Sequence, residues 1–237
     1  MNLELIDRNI QWHSYVGQEL SLERSVHLFK IDIRVNDGTL NFNSILSTEE
    51  LDKSTRFFRK EDKERYLIRK YFLRILLSKF VDQQPAEIEF QYGINKKPFL
   101  NYLNFNISHA KNSILIGISL EPVGVDLEYL DPSFNFQDIL IPCFHPEEIA
   151  FITNGFDAAA NFYTIWTRKE ALLKATGEGL TDDLNQISTL RSRTSRRNEN
   201  FTIKSFQEDK SILGSIAIVE GYTEVNFWTC DLQSISS

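Results

Sequence analysis

Small or apolar residues alternate with acidic ones over Val123, Gly124, Val125, Asp126, Leu127 and Glu128, the period-two signature of a strand. Residues i and i+2 of a strand share a face. Asp126 and Glu128 therefore project together, and Val125 and Leu127 project the opposite way. Further along, Phe162, Ile165, Trp166, Leu172 and Leu173 recur at helical intervals, and Gly177 stands where a C-cap belongs. That spacing predicts a helix over 158–175. An earlier amphipathic segment, 62–81, gathers Leu67, Phe72, Leu73, Leu76 and Phe80 toward a core, with Glu61, Asp62 and Glu64 at its start, where the helix dipole favours acids.

The rest of the pattern gives a coarse order. The N-terminal stretch is strand-rich. Helices over 48–59 and 62–81 follow, then short strands up to Leu120, including an alternating segment at 104–109. After Glu121 and Pro122 comes the Asp-x-Glu strand. Helical stretches near 135–140, 146–153 and 158–175 precede strands from 185 to the C-terminus. This is an α+β sequence in which a similar cycle runs twice. The boundary is expected near 121–124, dividing the chain into 1–122 and 123–237.

Composition narrows the function classes. At 237 residues the chain holds one large domain or two smaller ones. It is 42% hydrophobic and 25% charged with no low-complexity tract, which is a globular composition. No apolar run approaches the ~20 residues of a membrane span, and the N-terminus lacks the basic start and apolar core of a signal peptide. Cys143 and Cys230 are distant from each other, which suits a reduced, cytoplasmic protein better than a disulfide framework. A net charge of −7 argues against nucleic acid as a partner. Basic residues nevertheless cluster twice. Arg56, Arg59 and Lys60 lead into a helix carrying Arg65, Arg69, Lys70 and Arg74. The run 191–197 lies among Ser, Thr and Asn and reads as an exposed, mobile loop or hairpin, serving solubility or the docking of an acidic partner.

Three groups of residues carry candidate chemistry. Asp126 and Glu128 repel each other unless a cation lies between them, and a Mg²⁺ held by one to three carboxylates with water and phosphate oxygens meets that need; a solvent-facing edge strand is the plainer alternative. Glu170 and Lys174 share a helix face at i and i+4, as an acid–base pair or as an ordinary salt bridge. Ser108 and His109 at a strand end, with Lys97 in the turn before it, suit phosphate oxygens. A histidine in that place also fits a loop or core position satisfied by backbone.

In order, the chain carries Gly93 to Lys97 and Pro98 (a Gly-Lys-Pro with Ile94, Asn95 and Lys96 inserted), then Phe105-Asn106-Ile107-Ser108-His109, Gly124-Val125-Asp126-Leu127-Glu128, and Trp166-x-x-Lys169-Glu170-Ala171-x-x-Lys174-x-x-Gly177. Over about 47–179 this resembles the Sfp-type 4′-phosphopantetheinyl transferases. The resemblance implies two similarly folded halves with pseudo-twofold symmetry and the active site in the cleft between them. The first half would hold the nucleotide side of coenzyme A, and the second the metal and the catalytic motifs. It further implies transfer of phosphopantetheine from coenzyme A to a serine of an acyl or peptidyl carrier protein, with release of adenosine 3′,5′-bisphosphate. Asp126, Glu128 and Glu170 would hold Mg²⁺, and oxygen donors accept Mn²⁺ as well. Glu170 would take the serine proton, and Lys174 would stabilise or protonate the leaving phosphate. Lys53, Arg65, Lys97, Pro98, Ser108, His109, Lys169 and Lys174 would contact coenzyme A. Trp166 would anchor the core, and Gly124 would allow a close backbone approach or a bend of the strand. Glu49 and Glu50 stand where some members of that family carry a basic residue, which removes one contact to the 3′-phosphate. The chain length favours the monomeric two-half type over the shorter trimeric synthases. A hydrolase of nucleotide pyrophosphates and a non-catalytic binding module for coenzyme A or carrier protein are the rival readings.

Overall fold

The computed structural model describes residues 5–36, 40–93, 95–222 and 224–231. Among them the strands are β1 (Ile6–Asp7), β2 (His13–Ser14), β3 (Ser25–Asp32), β4 (Gln91–Tyr92), β5 (Pro98–Phe99), β6 (Asn104–Ala110), β7 (Ser113–Ser119), β8 (Val123–Tyr129), β9 (Arg193–Arg196), β10 (Glu199–Asp209), β11 (Ile212–Val219) and β12 (Glu224–Thr229). The helices are α1 (Thr48–Ser54), α2 (Lys60–Ser78), α3 (Gln137–Cys143), α4 (Pro146–Asn154) and α5 (Ala158–Thr176).

Local chemistry fixes the helix ends. Ser47 and Glu50 cap α1 reciprocally. Asp157 accepts the Ala160 amide at 2.9 Å to start α5, and Gly177, at φ 72°, ends it in the left-handed conformation that glycine adopts without cost. The first helix is shorter than its pattern predicts, because the chain turns at Thr55 and restarts as α2 at Lys60.

Two five-stranded sheets form, in the orders β2-β12-β3-β7-β6 and β1-β10-β11-β8, with β9 added to β10. The α+β expectation with two similar halves is met in the topology. Each half runs strand, helices, hairpin, and seats its first strand beside its last, giving β3-β7-β6 and β8-β11-β10. The chain ends then cross over. β1 pairs in parallel with β10, and β12 pairs in parallel with β3, so each sheet is completed from the other end of the chain.

The alternating strand faces sort the core. Val26, Leu28, Leu115, Val123, Val125, Leu127, Ile216 and Ile218 form one buried cluster between the sheets. Phe29, Ile31, Ile114, Ile116 and Ile118 face the other way and pack against Phe72, Leu73 and Leu76 of α2. On the far side, Ala171, Leu172 and Leu173 of α5 pack on Ile203 and Ala217. The molecule is thus layered helix, sheet, sheet, helix. Among the described residues no helix is long and apolar enough to cross a membrane.

Candidate active site

The site grows from a seam between the sheets. One edge of β8 is paired with β11, which leaves the amides of Val125 and Leu127 pointing toward β6. They meet side chains there. Asn106 Oδ1 accepts from the Val125 amide at 2.9 Å, and Ser108 Oγ accepts from the Leu127 amide at 3.2 Å. The buried edge is therefore satisfied without a ladder.

Helix α5 crosses β8 at Gly124. A Cβ there would lie 1.9 Å from the Ala171 carbonyl oxygen and 2.3 Å from the Ala175 nitrogen, so only glycine permits the contact. The approach brings the two predicted motifs together. Lys174 Nζ lies 2.6 Å from Asp126 Oδ1 and 3.3 Å from Ser108 Oγ, and Ser108 Oγ donates to Asp126 Oδ1 at 3.0 Å. Lys174 is not held in an ordinary i,i+4 surface pair; its carboxylate partner is Asp126, only 3% exposed. Trp166 stacks on Phe162 at 6.2 Å and also donates a hydrogen bond that lowers the pKa of Glu128, a role beyond the core anchor expected of it.

The three carboxylates lie in one another's field. Burial pushes Asp126 up, against Lys174 and Ser108, which pull it down. Burial and the Asp126 charge raise Glu128 to about 7. Burial and Asp126 also raise Glu170. Among the described residues no three acidic, histidine or thiol groups already converge as a metal-holding set. What suits a cation is narrower: Asp126 Oδ2 is buried without a hydrogen-bond partner, and its neighbours repel it and one another.

A cationic rim adjoins this acidic centre. Arg69 donates to His109 Nδ1 at 3.5 Å. Burial and the charges of Arg69, Lys174 and Arg65 pull the His109 pKa down to about 4, so its ring is neutral at pH 7. Lys53 and Arg69 both lie over the Tyr66 ring, at 5.7 and 5.8 Å. Arg65 pairs with Asp62 at 3.3 Å. Lys53, Arg65, Ser108, His109 and Lys174 thus gather around one region. Arg69 belongs there too. Its i+4 spacing from Arg65 was the sequence signal that could have found it.

Other predicted residues stand elsewhere. Lys169 is 1% exposed and points into the core, where it pairs with Glu148 at 2.8 Å and donates to the Leu184 carbonyl at 2.9 Å. One residue from Glu170 is about 100° of helix, and that rotation carries it away from the seam. The Lys97 ammonium donates to backbone carbonyls of α5 and β8. Pro98 lies in β5 and helps line a cavity of about 260 Å³ with Lys97, Asn106, Glu170, Lys174 and Gly177. Glu50 sits inside the first half and binds Lys70 at 3.2 Å and Arg74 at 2.7 Å, so those two cations are internal. The basic run takes the hairpin form expected as one alternative, not that of a loose loop: Arg193–Arg196 is β9, paired antiparallel with β10, and Arg196 bridges Glu178 and Asp183 at 2.9 and 2.7 Å. Arg168, 1% exposed, ties Thr189 O, Arg191 O and Ser205 Oγ beneath α5, a buried strut that the sequence pattern did not disclose.

Fold and seam together define a class: a duplicated α+β protein with a buried lysine–carboxylate knot bordered by cations. Comparison with known proteins makes that class specific. Residues 122–221 match the 4′-phosphopantetheinyl transferase superfamily, and residues 36–119 match the N-terminal region of 4′-phosphopantetheinyl transferases. A Synechocystis sp. protein provisionally named as a 4′-phosphopantetheinyl transferase is 37% identical over 154 residues, spanning 62% of this chain and 63% of that protein. The 4′-phosphopantetheinyl transferase HetI of Nostoc sp. is 31% identical over 67% of this chain and 71% of its own length. The 4′-phosphopantetheinyl transferase Sfp of Bacillus subtilis is 30% identical over 62% of this chain and 67% of its own. The chain belongs to the 4′-phosphopantetheinyl transferase family.

Proposed function

We propose that this chain moves the 4′-phosphopantetheine group of coenzyme A onto a serine hydroxyl of an acyl or peptidyl carrier protein and releases adenosine 3′,5′-bisphosphate. The observation that carries the reading is the knot of Lys174, Asp126 and Ser108, flanked by Glu128 and Glu170 at the seam. The serine oxygen forms the new bond to phosphorus, and the bond to the nucleotide's phosphate oxygen breaks. Glu170, raised above an ordinary carboxylate by its surroundings, is a stronger base than a surface acid and takes the serine proton. Lys174, one turn further along the same helix face, stabilises charge on the phosphates. Lys53, Arg65, Arg69 and His109 hold the nucleotide's phosphates, with His109 neutral and able to donate one hydrogen bond. Asp126, Glu128 and Glu170 would hold Mg²⁺, which when bound neutralises charge on the leaving group. A monomer is the form we propose, supported by the fact that one chain supplies both sheets of the seam.

The test is the intact mass of apo carrier proteins after incubation with this protein, coenzyme A and Mg²⁺. The expected result is a gain of one phosphopantetheinyl group, lost with EDTA and with Glu170→Ala. No gain on fatty-acid, polyketide or peptide carriers refutes the proposal, and cleavage of coenzyme A without such a gain identifies a hydrolase instead.

A further inference from the structure

Helix α5 presents its C-terminal end to the first half of the chain, and that end is capped from there. The last carbonyls of a helix have no partners within it. Here the Leu173 carbonyl accepts from the Glu178 amide at 3.2 Å and also from Gly177. The carbonyls of Lys174 and Ala175 accept instead from Lys97 Nζ, the latter at 3.3 Å. Asn95 Nδ2 donates to the carbonyls of Gly177 and Glu178, each at 2.8 Å. Both donors sit in the turn between β4 and β5, about eighty residues earlier in the chain.

The third partner of Lys97 gives the arrangement its meaning. Nζ also donates at 3.3 Å to the carbonyl of Val123, the first residue of β8. One ammonium therefore binds the helix turn that bears Lys174 and the strand that bears Asp126. It does so beside Gly124, where the two backbones touch. Among the described residues its hydrogen-bond partners are these three carbonyls, and no carboxylate pairs with it. Its aliphatic stem passes the cap, with Cδ 3.6 Å from where a Gly177 Cβ would stand. A cation at this place also complements the negative end of the helix dipole.

We infer that Lys97 is a positioning residue: it clamps the last turn of α5 to the start of β8 and so holds Lys174 against Asp126 beside the seam. This rests on the transferase reading above. It also assigns Lys97 a task different from phosphate binding. A donor that held a coenzyme A phosphate would set affinity for coenzyme A. A clamp sets the geometry of the reacting groups, and small misplacement at such groups is costly in turnover.

The test compares wild type, Lys97→Met and Lys97→Arg, the last keeping donors that can reach carbonyls. Hydrogen exchange of 170–180, read by mass spectrometry without substrate, reports the clamp. Steady-state transfer to an apo carrier reports its consequence. The clamp predicts faster exchange at 173–178 in Lys97→Met. It also predicts a kcat at least about tenfold lower with KM for coenzyme A within about twofold, and partial recovery of both in Lys97→Arg. A KM for coenzyme A raised tenfold at unchanged kcat overturns the inference in favour of a phosphate contact. A folded Lys97→Met with wild-type kcat and KM overturns it as well, whatever its melting temperature. If Lys97→Met does not fold, Lys97→Gln, which keeps an amide donor but not an ammonium that reaches all three carbonyls, decides: wild-type exchange at 173–178 and wild-type kcat in that variant overturn the clamp. A wild-type protein that transfers nothing removes the positioning role together with the transferase reading, while the exchange data still judge the cap.

Discussion

Lys174→Met isolates the contact on which the proposed chemistry turns. Lys174 Nζ has two polar side-chain partners, Asp126 Oδ1 at 2.6 Å and Ser108 Oγ at 3.3 Å. Its side chain is 30% exposed and that of Asp126 4%. Two effects follow from removing the ammonium. The first is catalytic. Loss of one preorganised charged donor from a desolvated site costs about 10²–10³ in kcat, or roughly 3–4 kcal/mol of transition-state stabilisation. The second is structural. Asp126 is already pushed up by burial and loses the strongest influence pulling it down, which favours its protonated form, and it keeps the hydrogen bond with Ser108. Leaving a buried carboxylate without its cation costs up to about 3–5 kcal/mol, and proton uptake together with the partial exposure of Lys174 brings that to about 1–3 kcal/mol. The assay is paired: kcat and KM from carrier mass with saturating carrier, and urea denaturation of the same preparation. The expected variant is folded, modestly less stable and at least about a hundredfold slower. A kcat within threefold of wild type refutes the reasoning, because the contact would then be structural only.

Two further outcomes follow from the same geometry. Burial and Asp126 raise Glu128 to about 7 from 4.5; the unfolded chain therefore ionises first as pH climbs, and stability is lost between those values and stays lost above them. Glu128→Gln should raise the melting temperature in EDTA at pH 8 and have little effect below pH 4.5, and an equal effect at both pH values would show that packing, not charge, is responsible. Lys169→Met removes the partner of Glu148 in a pair with both side chains 0% exposed and should cost about 3–5 kcal/mol in urea denaturation with kcat per folded molecule unchanged. A raised KM for coenzyme A at unchanged stability would return Lys169 to the cofactor.

Elements with a sustained period were readable from the sequence. Strand β8 and helix α5 lie where alternation and helical spacing put them, because each buries one face and its residues show which. The pairing of Asp126 and Glu128 on one face follows from the same rule, and a glycine at 124 within that strand signals the close approach that α5 makes there. What could not be read was which lysine faces what. Lys97, Lys169 and Lys174 look alike in one dimension, and lysine is seldom buried. Its burial at 169 depends on Glu148, twenty-one residues away, and at 97 on carbonyls of a helix nearly eighty residues on. The exchange of β1 and β12 between sheets was equally hidden. A two-residue strand has no period, and β12 finds its partner about two hundred residues away.

The seam also explains why the site needs two halves. An edge strand joined to another by a full ladder has its amides consumed by backbone carbonyls. Between β6 and β8 the amides of Val125 and Leu127 go to Asn106 and Ser108 instead. That substitution makes Ser108 a shared group: the hydroxyl that closes the seam also donates to Asp126 and accepts from Lys174. Structural closure and site assembly are therefore one hydrogen-bond network. Anything that parts α5 from β8, such as a Cβ at Gly124, or lets the sheets slide, such as loss of the crossed-over strands, disturbs the acidic centre before it unfolds either half. Three separate ties oppose such sliding: the apolar cluster between the sheets, the exchanged β1 and β12, and Lys97 at the end of α5. The first two fix the layers. Only the third reaches the turn that carries Lys174, which is why the loss of one ammonium there is expected to change turnover more than affinity.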